Sequence, residues 1–135
     1  MCRGFNVLGW NSDRVTKSEL TRPLWLAAGY IGFSMIVMLS LAPAGSRPHS
    51  GFGGQYEHLL AYALVGAAFG MGYRTARWQL FSGLALSSAA AILELLQNFI
   101  PGRNPEILSF MVSALGAWIG LAASIGLSVF LRSAK

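Results

Sequence analysis

Between Ile107 and Leu131 the chain runs twenty-five residues without a charge. At 1.5 Å per residue a helix of that length is longer than the ~30 Å hydrocarbon core of a bilayer. A run so apolar on every side cannot be the amphipathic helix of a small soluble domain. Two further uncharged runs occupy 24–42 and 78–93, and a shorter apolar one occupies 59–73. Charged residues make up only 11% of the 135-residue chain, against about 25% in soluble domains. The chain therefore expects lipid as its solvent and has length for one domain.

Four spans follow, over about 24–42, 56–73, 78–100 and 107–131, preceded by an N-terminal arm over 1–22 that is either loose or a short interfacial helix. Pro23 and Pro43 frame the first span as start and stop. A signal peptide fits poorly, because the polar leader is long and the apolar run exceeds a usual h-region. Gly53 and Gly54 mark the loop before the second span, which reaches workable length by including Gln55, Tyr56, Glu57 and His58. Pro101 and Gly102 end the third.

The cations set an orientation. Arg3, Arg14, Lys17, Arg22, Arg74, Arg77, Arg132 and Lys135 fall on one side, and only Arg47 and Arg103 on the other. The positive-inside rule places both termini in the cytoplasm. The fold expected is an all-α, integral membrane four-helix bundle, multi-pass in a cytoplasmic membrane. The net charge of +5 is dispersed between apolar runs without a basic stripe, so it argues for orientation and against a nucleic-acid partner. The single cysteine, Cys2, excludes an internal disulfide, and no cofactor motif or metal-ligand spacing stands out.

Helices in lipid associate through close packing of small residues and through polar contacts. Gly66 and Gly70 form one such pair. Gly116, Gly120, Ser124 and Ser128 form a stripe on the fourth span, Gly83, Ser87 and Ala91 one on the third, and Ala28 and Gly32 one on the first. These favour a compact bundle of one chain, and the same stripes would also suit a homodimer. Trp118, in mid-span, is expected to pack.

The polar residues near the outer face carry the functional question. Glu94 lies about two turns before Pro101, roughly 10 Å below the expected helix end, and shares a face with Gln97. His58 and Tyr62 share a face of the second span. The Pro101–Gly102 turn can fold Arg103 back over the bundle mouth. Glu57, His58, Tyr62, Glu94, Gln97 and Arg103 are thus candidate ligand-binding residues, since ionisable groups inside a span are costly and usually functional. A structural account is equally open: ion pairing of Glu94, an interhelical bond from Gln97, Tyr62 in an aromatic belt.

The pattern EHLLAY at 57–62, ELLQ at 94–97, PGR at 101–103 and LGAWIG at 115–120 resembles the VanZ-like family of small bacterial membrane proteins. The resemblance covers roughly 55–120. In that family a His and a Tyr open one span, a Glu-x-x-Gln pair closes the next, and an Arg follows in the loop. This chain departs from the pattern with Gly54 and Gln55 where the family has an Asp-Lys pair, and with Ser109 and Ser113 where its last span has Asp and Asn. The resemblance implies a link to the cell envelope and, through the member that names the family, to low-level glycopeptide (teicoplanin) resistance. It leaves three functions open. One is binding of a membrane lipid or lipid-linked envelope intermediate, with Arg103 on an anionic group. Another is a structural or accessory role. The third is a membrane enzyme using Glu94 or His58 as acid–base, for which a nucleophile is lacking.

Overall fold

The computed structural model describes residues 17–43, 54–102 and 106–133. Helices take up nearly all of them, and no strand occurs among the described residues: α1 (Lys17–Leu41), α2 (Gly54–Gly72), α3 (Ala76–Leu96) and α4 (Ile107–Ser133), with a 3₁₀ turn, Gln97–Phe99, closing α3. The fold is therefore all-helical, and α1, α3 and α4 each contain a segment long and apolar enough to cross a membrane: Thr21–Leu41, Ala76–Phe99 and Ile107–Leu131.

Three boundaries differ in kind from the sequence expectation. Pro23 lies inside α1, in its second turn, where it removes one backbone hydrogen bond of the helix; part of the expected arm, from Lys17 on, is thus helical. Gly54 is the first residue of α2 and not a loop residue, and Gly53 lies outside the described residues. The α-helix of the third span stops at Leu96, earlier than the Pro101–Gly102 turn, which is left to a 3₁₀ turn and to Gly102 at φ 78°. A positive φ is readily adopted by glycine alone.

The bundle is built around α2 and α4, which run parallel. Carbonyl groups of α2 lie directly against glycines of α4, Leu59 against Gly116 and Ala63 against Gly120, and Gly66 of α2 lies against the Ala117 carbonyl. Further along, Gly70 meets the hydroxyl of Ser124. A Cβ at any of these glycines would collide with its neighbour, so the absence of side chains sets the spacing of the pair. The expected stripes at Gly66/Gly70 and Gly116/Gly120/Ser124 are thus used within one chain.

Antiparallel to this pair, α1 packs on α2, with Gly29 under the ring of Phe69 and Gly32 under Val65. Gly29, not Ala28, makes the close approach there, and Ala28 is exposed. On the other side α3 packs on α4, where Gly83 leaves room for the ring of Trp118 and the Trp118 indole donates to Ser87 Oγ at 3.2 Å. Trp118 thus packs, as its mid-span position suggests. The core contains Ile36, Val65, Phe69, Leu86, Leu93 and Ala117. Leu60, Leu64, Leu84, Ile92, Ile119 and Phe130 face outward and exposed. In water they would be an aggregation surface; in hydrocarbon they are in a matching solvent.

The two ends of the bundle differ. At one, where α1 and α3 start and α2 and α4 finish, Tyr30, Phe69, Tyr73, Trp78 and Phe81 form a run of edge and stacked ring pairs with centroids 5.1–5.9 Å apart. Arg22 Nε donates to Gly72 O at 3.1 Å, placing a cation at the negative end of α2. Gln79 Nε2 donates to the carbonyls of Gly70 and Tyr73, satisfying acceptors that the end of α2 leaves open. The opposite end, where α2 and α4 start and α3 finishes, collects the candidate polar residues.

Candidate functional site at the polar end of the bundle

Entry into α4 requires a partner for Glu106, whose carbonyl accepts the first helical bond, from Phe110 N at 3.3 Å. The third residue of the helix is Ser109, too short to reach back as a glutamate would in a capping box. Glu94, from the last turn of α3, supplies the carboxylate: the Glu106 N–H donates to Glu94 Oε1 at 2.6 Å. A negative group is favoured at this position by the α4 dipole. Because α3 stops at Leu96, Glu94 lies nearer the helix end than the sequence suggests, level with the start of α4 and not 10 Å below a helix continuing to Pro101.

A second polar contact joins α2 to α4. Ser113, 2% exposed, donates its hydroxyl hydrogen to Ser109 O at 2.8 Å. Its oxygen lies 3.4 Å from His58 Nδ1. With its only hydrogen engaged at Ser109 O, Ser113 can take part in this contact only as an acceptor, from the Nδ1–H tautomer of the imidazole. Of Ser109 and Ser113, it is Ser113 whose hydroxyl reaches the histidine, and Ser109 takes part through its backbone carbonyl.

Tyr62, one turn further along α2, is 1% exposed and within electrostatic range of Glu94. Gln97 is 4% exposed. Glu57, His58 and Tyr62 line a small cleft of about 80 Å³ against Ser40 and Ile36 of α1. A larger cleft of about 340 Å³ opens between α3 and α4, lined by Ala91, Glu94, Leu95, Asn98, Glu106 and Phe110, among others.

Five of the six residues expected from the sequence, Glu57, His58, Tyr62, Glu94 and Gln97, thus belong to one end of the bundle. Arg103 lies outside the described residues. Sequence reasoning missed Ser40 and Glu106. Ser40 is a hydroxyl in the last turn of an uncharged run, and it is 2% exposed. Glu106 directly precedes an uncharged run, where an acid marks a helix start. Both signals were present, but weak beside Glu94. Among the described residues no three His, Cys, Asp or Glu side chains come together as metal ligands would.

Chemically, the end offers carboxylates, an imidazole, a phenol, an amide and hydroxyls around two clefts, a set suited to orienting a polar headgroup through hydrogen bonds. Comparison of the chain with protein-family models, curated proteins and solved structures gives no match.

Proposed function

We propose that the chain is a VanZ-like integral membrane protein of a bacterial cytoplasmic membrane, with both termini in the cytoplasm. Its polar end binds the headgroup of a lipid or lipid-linked envelope intermediate at the outer face and thereby acts on the cell envelope. The orientation rests on the cation bias. The binding role is supported by one observation above all: each of the four helices, or the turn that closes it, brings a buried polar group to the same end, Ser40, Tyr62, Ser113 and Gln97. Burying polar groups is costly unless they are paired, and apolar residues would stabilise the bundle as well.

A second reading has its own support. The Glu94 carboxylate satisfies a backbone donor of Glu106, which is the work of a structural clasp. The two readings separate in native mass spectrometry of protein extracted with its lipids, comparing wild type with His58→Ala and Glu94→Ala and recording thermal stability alongside. A specific bound mass lost in His58→Ala, with melting little changed, supports binding. Absence of any specific mass, with both variants destabilised, assigns the residues to the clasp.

A further inference from the structure

The cleft between α3 and α4 has a chemistry of its own. Its walls are apolar, formed by Ala91, Leu95, Ile107 and Phe110. Leu95 and Ile107 are among the most exposed apolar residues of the bundle, 66% and 79%, so the cleft opens sideways toward lipid. Its volume of about 340 Å³ falls in the range of small-ligand sites, roughly 300–1,000 Å³.

The polar groups of the cleft are mainly acceptors. Glu94 uses one carboxylate oxygen for the Glu106 N–H and has the other in hand. Asn98 gives one Nδ2 hydrogen to Leu95 O at 3.0 Å and keeps Oδ1 as an acceptor beside its second N–H. Glu106 adds an exposed carboxylate immediately ahead of the membrane-crossing segment Ile107–Leu131, at the depth where headgroups lie. Among the described residues no cationic side chain lines the cleft. An occupant that complements the two carboxylates is apolar along its length and carries a donating cation at its end.

We infer that this cleft is a lateral site for a phospholipid with a primary-amine headgroup, of the phosphatidylethanolamine type. One acyl chain lies along Ala91, Leu95 and Phe110, and the ammonium donates to Glu106 and Asn98. The inference deepens the reading of this end as a headgroup site and rests on it. A quaternary headgroup such as phosphatidylcholine has the same charge and chains but no N–H to donate, so the two lipids differ in the feature that the acceptors read.

The test uses the full chain in nanodiscs of phosphatidylcholine with equal small amounts of phosphatidylethanolamine and phosphatidylglycerol. Lipids retained after gentle release are counted by native mass spectrometry. Retention of phosphatidylethanolamine over phosphatidylcholine should be enriched about tenfold beyond the bulk ratio, the worth of one charge-assisted hydrogen bond. Glu106→Gln should remove most of that enrichment; it keeps the backbone N–H that Glu94 accepts, so the entry into α4 is preserved. Ala91→Phe, which fills the cleft, should abolish retention of any lipid there. Enrichment that survives both substitutions, equal retention of the two lipids, or a preference for phosphatidylglycerol overturns the inference. If in that case a bound mass still depends on His58, the headgroup site stands with a different ligand; if none does, both readings fail together.

Discussion

Glu94 illustrates how one carboxylate can be read in two ways. Its bond to the Glu106 N–H predicts a graded response. Glu94→Gln keeps an acceptor and loses the charge at the α4 terminus, for a cost of roughly 0.3–1 kcal/mol. Glu94→Ala removes the charge and the hydrogen bond together; the bond is exposed, so water takes over part of it and the cost is about 1–1.5 kcal/mol. Thermal unfolding in detergent should rank wild type, Gln and Ala in that order, and equal stability of Gln and Ala would show that the bond contributes nothing. The His58–Ser113 contact predicts less. At 3.4 Å it is long, and polar interhelical pairs in membranes average only about 0.6 kcal/mol. A double-mutant cycle of His58→Ala and Ser113→Ala should therefore give a coupling below about 1 kcal/mol, and a larger value would mean that the pair is tighter in the membrane than here. The residues themselves were legible in the sequence, since His58, Tyr62, Glu94 and Gln97 interrupt apolar runs. Their partners were not. Glu94 meets a backbone group that is brought level with it by the early stop of α3, and nothing in the ELLQ pattern encodes that stop.

At the scale of the helices, contact between α2 and α4 rests on glycines. Gly120 lies directly against the Ala63 carbonyl, so Gly120→Ala must push two backbones apart, with an expected loss of at least about 1–3 kcal/mol. Gly126, on the same helix, has nothing within 4 Å of an added Cβ. Gly126→Ala should be neutral or stabilising by up to about 1 kcal/mol from helix propensity alone. Melting of both variants in one detergent checks the contrast. Loss of a dimer without loss of monomer stability in Gly120→Ala would instead put the stripe at an interface between chains. Small-residue spacing made these stripes visible in advance, because four residues bring side chains to one helix face. It left open which stripe meets which, since periodicity gives a face but no partner. On α1 it selected Ala28 and Gly32, whereas the helix turns Gly29 and Gly32 toward α2.

For the whole molecule, the helix that does not qualify as a span on its own is also the one with the largest share of buried residues. The three helices that qualify as spans on their own are α1, α3 and α4, while α2, with Glu57 and His58 in its first turns, carries buried residues along its length, from Tyr62 and Val65 to Gly70 and Gly72. A helix flanked by α1 and α4 meets less lipid and can carry small and polar residues that a lipid-facing helix cannot. Its 19 residues still span roughly 28 Å, enough to cross beside α4. The sequence showed this as a run too short to span unaided, and the parallel pairing with α4 offers it a partner to cross beside. Insertion should therefore depend on context. Placed alone between reporter domains in a membrane-insertion assay, 54–72 should insert in a minority of chains and 107–131 in nearly all. In the full chain, Tyr56→Cys, exposed at the start of α2, should react with an impermeant thiol reagent from outside the cell, with Cys2 replaced to leave one thiol. The same cysteine in a chain ending at residue 102, which lacks α4 and so uncovers Gly66 and Gly70, should lose that external labelling as α2 fails to hold its span. Equal insertion of the two isolated segments, or labelling that survives removal of α4, would show that α2 crosses on its own apolarity and that its glycine face serves only packing.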